Sequence, residues 1–192
     1  MSSKKTSILI IGAGPGGAAT ALRLSYLNIP CVLVDKATFP RDKICGDALS
    51  GKVPTLLNRL DPAIMDRFRQ RFTPIDVWGI RFVPPNKKMI ELPFKVGYER
   101  IPDAAPGYVS KRMDFDAFLI EDVQRCDNIE LRLGTEIGSW VKTSDGYTVT
   151  TKDNSESWDC RLLIDASGAN SRFSRKEAGQ KMDNDHHAAA VR

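Results

Sequence analysis

The stretch SILIIGAGPGGAATALRLSYLNIPCVLVD, residues 7–35, decides the fold that this sequence predicts. Its apolar start has the length of a β-strand, and a helical pattern follows. Between them, Gly12, Gly14 and Gly17 fall on the spacing G-x-G-x-x-G, which is typical of a turn that binds the pyrophosphate of a dinucleotide. A second apolar run then ends on Asp35. The order strand, glycine turn, helix, strand and acid predicts a nucleotide-binding βαβ unit.

Each glycine of this turn has a separate physical task. We expect Gly12 to allow a tight turn, Gly14 to let the backbone approach a pyrophosphate, and Gly17 to let the helix pack closely on the strand. Pro15 and Gly16 lie inside the same turn, where the helix N-terminus offers N–H groups to an anion. All five residues are therefore candidate cofactor contacts.

The acid at the end of the second strand predicts how the sugar is bound. Asp35 lies about 20 residues beyond the turn, where a carboxylate accepts hydrogen bonds from both hydroxyls of an adenosine ribose. Because a carboxylate repels a 2′-phosphate, this position favours FAD or NAD over NADP. The adjacent Lys36 weakens that preference slightly and is a further candidate contact. The alternative is a buried glycine-rich turn followed by an ordinary surface aspartate.

The composition is that of an ordinary soluble protein. The 192 residues are 42% hydrophobic, which is enough for a real core. Twenty-eight Lys and Arg against 24 Asp and Glu give a net charge of +4, and the basic residues are scattered along the chain. Because nucleic-acid binding needs a concentrated basic surface, we expect no nucleic-acid partner.

Cysteine and histidine spacing does not indicate a metal site. The four cysteines form no C-x-x-C pair and follow no secretory signal, so we expect reduced thiols in a cytoplasmic protein. His186 and His187 are adjacent, not four residues apart as in a helical metal site. No apolar run reaches the roughly 20 residues that cross a bilayer, so we expect no transmembrane segment, with peripheral membrane contact left open.

A second informative stretch, KATFPRDKICGDALSGK, directly follows Asp35. Arg41 and Lys43 are candidate partners for phosphate groups, because cationic side chains form charge-assisted hydrogen bonds with them. Gly46 would permit close approach of the backbone to a flat cofactor ring. The alternative is an exposed basic loop.

The remaining chain alternates between helix and strand patterns. Residues 50–70 predict two short helices. Residues 75–94 predict a β-hairpin, and we expect Trp78, Phe82 and Phe94 to belong to a sheet core. The later predicted elements are a helix at 114–126, strands at 129–133, 137–143 and 147–151 that form a three-stranded meander, a strand at 161–164, and a turn of small residues at 165–171.

Four motifs in order resemble one known family. GAGPGG with Asp35, FPRDKICGDALS, VSKRMDFDAFL and LIDASGANS are similar to the FAD-dependent oxidoreductases of the para-hydroxybenzoate hydroxylase type, and the CGDALS loop is most similar to their geranylgeranyl reductase branch. The resemblance implies an α/β, Rossmann-like FAD-binding fold with a parallel sheet, a three-stranded β-meander and the beginning of an antiparallel substrate sheet. It implies an FAD-binding domain at 1–74 and 106–192, interrupted by a substrate-domain hairpin at 75–105.

The same resemblance implies which residues meet the cofactor. Arg41, Cys45, Gly46 and Asp47 are expected near FAD, because the loop after the acid lies along the flavin in that family. Cys45 is a candidate for a catalytic role beside the ring, and the alternative for it is a buried, inert thiol.

Two further contacts are implied by the resemblance. Arg112, in the pattern R-x-x-F-D, is expected on the phosphate or ribityl side of FAD, and the backbone near Ile137 is expected to meet adenine. Family members run well beyond the length of this chain, so we expect a truncated form or a domain fragment that by itself binds FAD weakly or not at all and shows no turnover.

Three functional hypotheses follow. The first is an FAD-dependent reductase that passes a hydride from reduced flavin to a double bond of a small isoprenoid or lipid-like molecule, with NAD(P)H or another reductant as electron donor. The second is a flavin-dependent monooxygenase or halogenase, since FPR followed by a glycine and an acid also occurs in those relatives. The third is an inactive dinucleotide-binding fragment. The oligomeric state is not predicted.

Overall fold

A computed structural model describes residues 3–45, 47–97, 99–101 and 104–181 of the chain. The chain divides into two compact units. The first unit contains the described residues up to Arg41 and those from Asp116 onward, and the second unit is Asp42–Phe115. The predictions made for Gly46 and the two histidines fall outside the described residues.

The helices and strands follow the predicted alternation, with shifts of a few residues at their ends. In chain order they are β1 (Lys4–Ile11), α1 (Pro15–Tyr26), β2 (Cys31–Val34), β3 (Ala48–Leu49), α2 (Lys52–Leu60), α3 (Ile64–Phe72), β4 (Ile75–Val77), β5 (Gly79–Phe82), β6 (Ile90–Pro93), β7 (Gly107–Val109), α4 (Arg112–Gln124), β8 (Ile129–Arg132), β9 (Ile137–Lys142), β10 (Tyr147–Thr151), β11 (Ser157–Asp165) and α5 (Arg172–Glu177).

The sheet of the first unit has the strand order β8-β2-β1-β11-β10-β9. Within the described residues, the first four strands of that order run parallel, and β10 pairs antiparallel with both β11 and β9. The predicted α/β fold with a parallel sheet and a three-stranded meander is therefore confirmed. Because parallel strands end at one edge of a sheet, the turns that follow β1, β2 and β11 meet at that edge.

The membership of the meander differs from the prediction. The strand predicted at 129–133 was assigned to it, but β8 pairs in parallel with β2, with Ile129 opposite Cys31. The third strand of the meander is β11, which begins at Ser157, four residues before its predicted start at Arg161. The reason is that α4 precedes β8, and a helical crossover returns the chain parallel to an existing strand.

Alternation along β1 buries residues on both faces of the sheet. Leu9 lies in a cluster with Val149 of β10 and Trp158 of β11, and all three are fully buried. The neighbouring Ile10 is equally buried and faces the opposite side, because successive side chains of a strand alternate. There α1 packs on the sheet through its own buried Leu22. Burial on both sides of β1 holds the strand in place, and the glycine turn follows directly at its C-terminal end.

The second unit contains the sheet β3-β7-β4, the hairpin β5-β6 and the helices α2 and α3. The predicted hairpin is present, with Ile80 opposite Leu92. The expectation of a sheet core was wrong for Phe82 and Phe94, which are 52% and 37% exposed. Among the described residues, β5 and β6 pair only with each other, and their apolar residues Ile80, Ile90 and Leu92 are about half exposed.

Among the described residues, no helix combines the length and the apolar content that crossing a bilayer requires.

Candidate nucleotide-binding site

The glycine turn joins the end of β1 to the start of α1. Gly12 has a φ of +100°, a conformation that side-chain-bearing residues rarely adopt, and its N–H donates to the Val34 carbonyl at 2.7 Å. Gly14 is the N-cap of α1 and Pro15 occupies the first turn, where its missing N–H costs no helical hydrogen bond. The turn therefore delivers a helix N-terminus to the edge where β2 also ends.

Two of the glycines are required by the packing of the protein itself. A β-carbon on Gly12 would lie 2.4 Å from the carbonyl oxygen of Ala166, in the turn after β11. A β-carbon on Gly17 would lie 1.8 Å from the carbonyl oxygen of Gly12, which brings α1 against the turn. Neither position has room for a side chain, as the sequence predicts for tight turning and close helix packing.

The other two glycines face open space. A β-carbon on Gly14 would meet nothing nearer than Nη2 of Arg41 at 3.7 Å, and one on Gly16 would have no neighbour within 4 Å. The first-turn amides of α1 precede any acceptor within the helix and so point toward this space. Packing does not explain glycine here, whereas close approach by an anionic ligand does. The turn thus fits the diphosphate of a dinucleotide.

Asp35 is held in place by its own backbone and side chain. Its N–H donates to the Arg132 carbonyl and its carbonyl accepts from Thr135, both at 2.9 Å. Its carboxylate accepts from the N–H of Ala13 at 2.7 Å and from that of Ala37 at 2.8 Å. Each carboxylate oxygen has a further lone pair, so two ribose hydroxyls can still be accepted.

Arg41 lies beside the glycine turn in the first unit. Its guanidinium Nη2 is 3.4 Å from Oδ2 of Asp116, and its carbon Cζ is 4.9 Å from the centre of the Phe39 ring. The Arg41 side chain is 22% exposed and that of Asp116 is 0% exposed. A cation is therefore fixed between a buried carboxylate and the space in front of Gly14.

The connection from β8 to β9 lies next to Asp35 through the hydrogen bond from Thr135. Hydrogen bonding by Lys152 is the main cause that lowers the pKa of Glu136; burial opposes it, and Lys36 is among the cations that add to the lowering. Ile137 follows as the first residue of β9 and packs its side chain against the cluster around Leu9. Lys36 therefore acts electrostatically on Glu136 of this connection, and Ile137 ends the connection two residues after Thr135, which donates to Asp35.

The second unit holds the other predicted contacts. Asp47 has a φ of 56°, its carbonyl accepts from Ser110 at 3.0 Å, and its carboxylate accepts from the N–H of Arg112 at 3.2 Å. The structure thus brings Asp47 and Arg112 together at the start of α4. Cys45 is half-buried, and none of the four cysteines, all of which are described, belongs to a disulfide. Contacts of these residues with a flavin stay predictions.

The turn after β11 is organised by one carboxylate. Asp165 accepts from the hydroxyls of Ser167, Ser171 and Ser174 and from the N–H of Ser167. Burial alone would raise the pKa of Asp165, but these hydrogen bonds outweigh it and hold the pKa below its ordinary value. Because Ala166 lies directly against Gly12, the turn after β11 packs against the glycine turn and limits its position.

Sequence reasoning missed two residues of the site, Asp116 and Phe39. Asp116 was noticed only as part of the pattern around Arg112, and Phe39 only as part of the loop. An acid directly between apolar helix positions, here Phe115 and Phe118, is the signal that would have indicated a buried ion pair. Lys43, which was also considered for phosphate, is exposed, and its N–H donates to the adjacent Asp42.

The geometry defines a class of protein, a dinucleotide-binding α/β fold with its ligand turn at the edge of a parallel sheet. Comparison with known families agrees, since residues 5–191 match the family described as FAD binding domain. The chain belongs to that family. Its relatives include enzymes with different reactions.

Two relatives with reductase names cover most of this chain. It is 29% identical over 175 residues to the menaquinone reductase of Mycolicibacterium smegmatis, which covers 89% of this chain and 39% of the relative. It is 27% identical to digeranylgeranylglycerophospholipid reductase 2 of Methanosphaera stadtmanae, over 89% of this chain and 41% of the relative. The chain therefore spans about two fifths of the length of these curated relatives.

A solved structure with another chemistry has the same fold. The myxobacterial chondrochloren halogenase CndH, an FAD-dependent halogenase, superposes with a TM-score of 0.71 at 23% identity, over 88% of this chain and 38% of the halogenase. At this identity the likeness shows the fold alone.

Proposed function

We propose that this chain forms the FAD-binding part of a reductase that acts on double bonds of isoprenoid or lipid-like molecules. The observation that carries the proposal is the similarity of nearly the whole chain to two proteins named as reductases of a quinone and of a digeranylgeranyl lipid. Membership of the FAD binding domain family supports the cofactor. The open space at Gly14 supports a diphosphate there.

Different residues of the first unit would bind different parts of the nucleotide. The diphosphate would lie in front of Gly14 and Gly16, with the guanidinium of Arg41 beside it. Asp35 would accept the ribose hydroxyls, and the backbone near Ile137 would meet adenine. These contacts would bind and orient the nucleotide, and the helix N-terminus and Arg41 would offset part of the charge of the diphosphate.

The second unit would supply contacts on the flavin side. Cys45, Asp47 and Arg112 belong to it, and Asp47 already fixes the backbone of Arg112. FAD, when bound, supplies the hydride transfer to carbon. We propose NAD(P)H or another soluble reductant as the electron donor, and a cytoplasmic protein that contacts membranes peripherally to reach a lipid-like substrate.

An anaerobic half-reaction tests this proposal. A reductase that contains this chain, loaded with FAD, would be reduced photochemically and mixed with a geranylgeranylated glycerolipid in detergent. We expect the flavin to become oxidised without oxygen, and the lipid to gain two hydrogen atoms for each reduced double bond, as measured by mass spectrometry. A saturated phytanyl lipid is the matched control and should leave the flavin reduced.

The alternatives give different results in the same experiment. A monooxygenase or halogenase would leave the flavin reduced until oxygen is added, and a halogenase would also require halide for product. A chain that only binds nucleotide would retain FAD or ADP and give no turnover in either case. Flavin that stays reduced anaerobically with every unsaturated lipid tested would contradict the reductase proposal.

A further inference from the structure

Helix α4 carries a buried carboxylate in its apolar part. Asp116 is 1% exposed and lies between Phe115 and Phe118, which are also buried. Transfer of a carboxylate from water into such surroundings is costly unless a cation or hydrogen-bond donors accompany it. The ionised form of Asp116 is therefore stable only if such partners lie beside it.

Arg41 places a cation near this carboxylate. Its Nη2 is 3.4 Å from Oδ2 of Asp116 and 3.7 Å from the place where a β-carbon on Gly14 would lie. The same guanidinium lies over the ring of Phe39 at 4.9 Å. One guanidinium nitrogen thus lies between the buried carboxylate and the open space at the turn, and an aromatic ring further limits its position.

The length of this ion pair leaves the guanidinium able to bind a second anion. Strong charge-assisted N–H···O bonds are about 2.7 to 2.9 Å long, and the Arg41–Asp116 contact is longer. A guanidinium has five N–H donors in a planar fork, so one carboxylate does not saturate it.

Asp116 has two opposite effects on a diphosphate at the turn. Its negative charge offsets that of Arg41 and weakens the attraction for an anion. It also orients a long side chain before the ligand arrives, which removes the entropy loss of ordering that side chain on binding. A ligand at Gly14 would lie nearer to Arg41 than to the carboxylate, so attraction by the oriented guanidinium would exceed repulsion by Asp116.

We propose that Asp116 is a positioning residue that holds Arg41 toward the diphosphate of the bound dinucleotide. The inference rests on the proposed FAD site and adds a residue to it. Removal of the negative charge at Asp116 is therefore expected to weaken the binding of diphosphate ligands, although simple electrostatics would predict tighter binding.

The test compares two ligands that share adenosine and differ in the diphosphate. Dissociation constants for ADP and adenosine would be measured by calorimetry for the wild type, Asp116→Asn, Arg41→Gln and the double variant. We expect Asp116→Asn to weaken ADP binding about tenfold and to leave adenosine binding unchanged. In the Arg41→Gln background, the additional Asp116→Asn change should no longer weaken ADP binding and should tighten it slightly, because only the repulsion by the carboxylate is then removed.

Asp122→Asn is the matched control. Asp122 is a buried aspartate of the same helix, about 9 Å further along its axis, and pairs at 2.8 Å with Arg125. Its substitution removes the same charge and should leave ADP affinity unchanged. If Asp116→Asn does not fold, Arg41→Lys replaces it: a lysine keeps the charge without the fork that Asp116 orients, and ADP affinity should fall below that of wild type.

Three results would overturn the inference. They are tighter ADP binding by Asp116→Asn, an equal loss for ADP and adenosine, and wild-type ADP affinity in Arg41→Lys. A wild-type protein that binds neither ADP nor FAD would instead refute the nucleotide site, and the proposed function with it. The two failures are thus distinguishable.

Discussion

Gly14 and Gly17 stand in one turn, yet the structure gives them different tasks. Gly17 is in contact with the backbone of Gly12, so a side chain there collides with the protein. Gly14 has φ and ψ values of −66° and −178°, which any residue can adopt, and its neighbourhood is open. Stability and ligand binding should therefore respond separately to substitution at these two positions.

Gly14→Ala should weaken nucleotide binding without unfolding the protein. The added methyl group occupies the space that a diphosphate needs, so we expect FAD and ADP affinity to fall at least about tenfold. The free energy of unfolding should stay within about 0.5 kcal/mol of wild type, because nothing lies closer than Arg41. Calorimetry and thermal melts measure the two quantities.

Gly17→Ala is the contrasting control. Its β-carbon would lie 1.8 Å from a carbonyl oxygen, so α1 must shift, and we expect a loss of about 1–3 kcal/mol in unfolding free energy. Retention of FAD by a folded Gly14→Ala variant would show that the turn has only a structural task.

Asp35 can be tested through the hydroxyls it is expected to bind. Wild-type protein should bind ADP more tightly than 2′,3′-dideoxy-ADP, with a difference in binding free energy of about 1–3 kcal/mol. Asp35→Ala should lose that difference. The variant also loses hydrogen bonds to Ala13 and Ala37, so absolute affinity alone is ambiguous. An unchanged preference for ADP in Asp35→Ala would contradict the assignment.

At the scale of single residues, the sequence predicts positions that have a fixed spacing. Gly12, Gly17 and Asp35 follow a local pattern within one βαβ unit, and the packing of the two glycines is as predicted. The contact between Arg41 and Asp116 joins residues far apart in sequence. No local pattern specifies such a pair, because its energy depends on burial that only the folded chain creates.

At the scale of elements, type was easier to predict than pairing. The hairpin of β9 and β10 is local and has a strong turn at Asp145 and Gly146, so its partners were predicted correctly. The positions of β8 and β11 depend on contacts between distant strands. Short apolar strands are interchangeable in pattern, and therefore β8 was assigned to the wrong neighbour.

The turn after β11 gives a prediction at the same scale. Because hydrogen bonds lower the pKa of Asp165 in the folded state, ionised Asp165 stabilises the fold above the unfolded value, and this contribution is lost as pH falls through the folded value. We expect Asp165→Asn to lower the unfolding free energy by about 1–3 kcal/mol at neutral pH. The difference from wild type should shrink below about pH 4.

Asp159→Asn is a suitable comparison for Asp165→Asn. Asp159 lies on the same strand and accepts from the hydroxyl of Thr148 at 2.6 Å, whereas Asp165 accepts from three serines. Chemical denaturation between acidic and neutral pH measures both variants. A difference between Asp165→Asn and wild type that is independent of pH would rule out the carboxylate as the cause.

At the scale of the whole molecule, the sequence predicts the parts whose hydrophobic pattern is satisfied within the chain. The sheet of the first unit buries apolar residues on both faces, and its class was predicted correctly. The sequence of the hairpin β5-β6 alternates between apolar and polar residues, as in a strand pair with one face buried. Its apolar residues are nevertheless about half exposed. Pattern alone predicts that a face is apolar and does not tell what covers it.

The division into two units also predicts which half of FAD the first unit recognises. The glycine turn, Asp35 and Arg41 belong to the first unit, and each of them addresses the diphosphate or the ribose. Cys45 and Asp47, which are expected beside the flavin, belong to the second unit. The contacts in the first unit are therefore common to FAD and ADP, and FMN offers this unit only a single phosphate.

We expect the dissociation constants for FAD and ADP to agree within about tenfold and that for FMN to be at least about a hundredfold weaker, as measured by calorimetry. Equal affinity for FMN and ADP would contradict the assignment of the turn to a diphosphate.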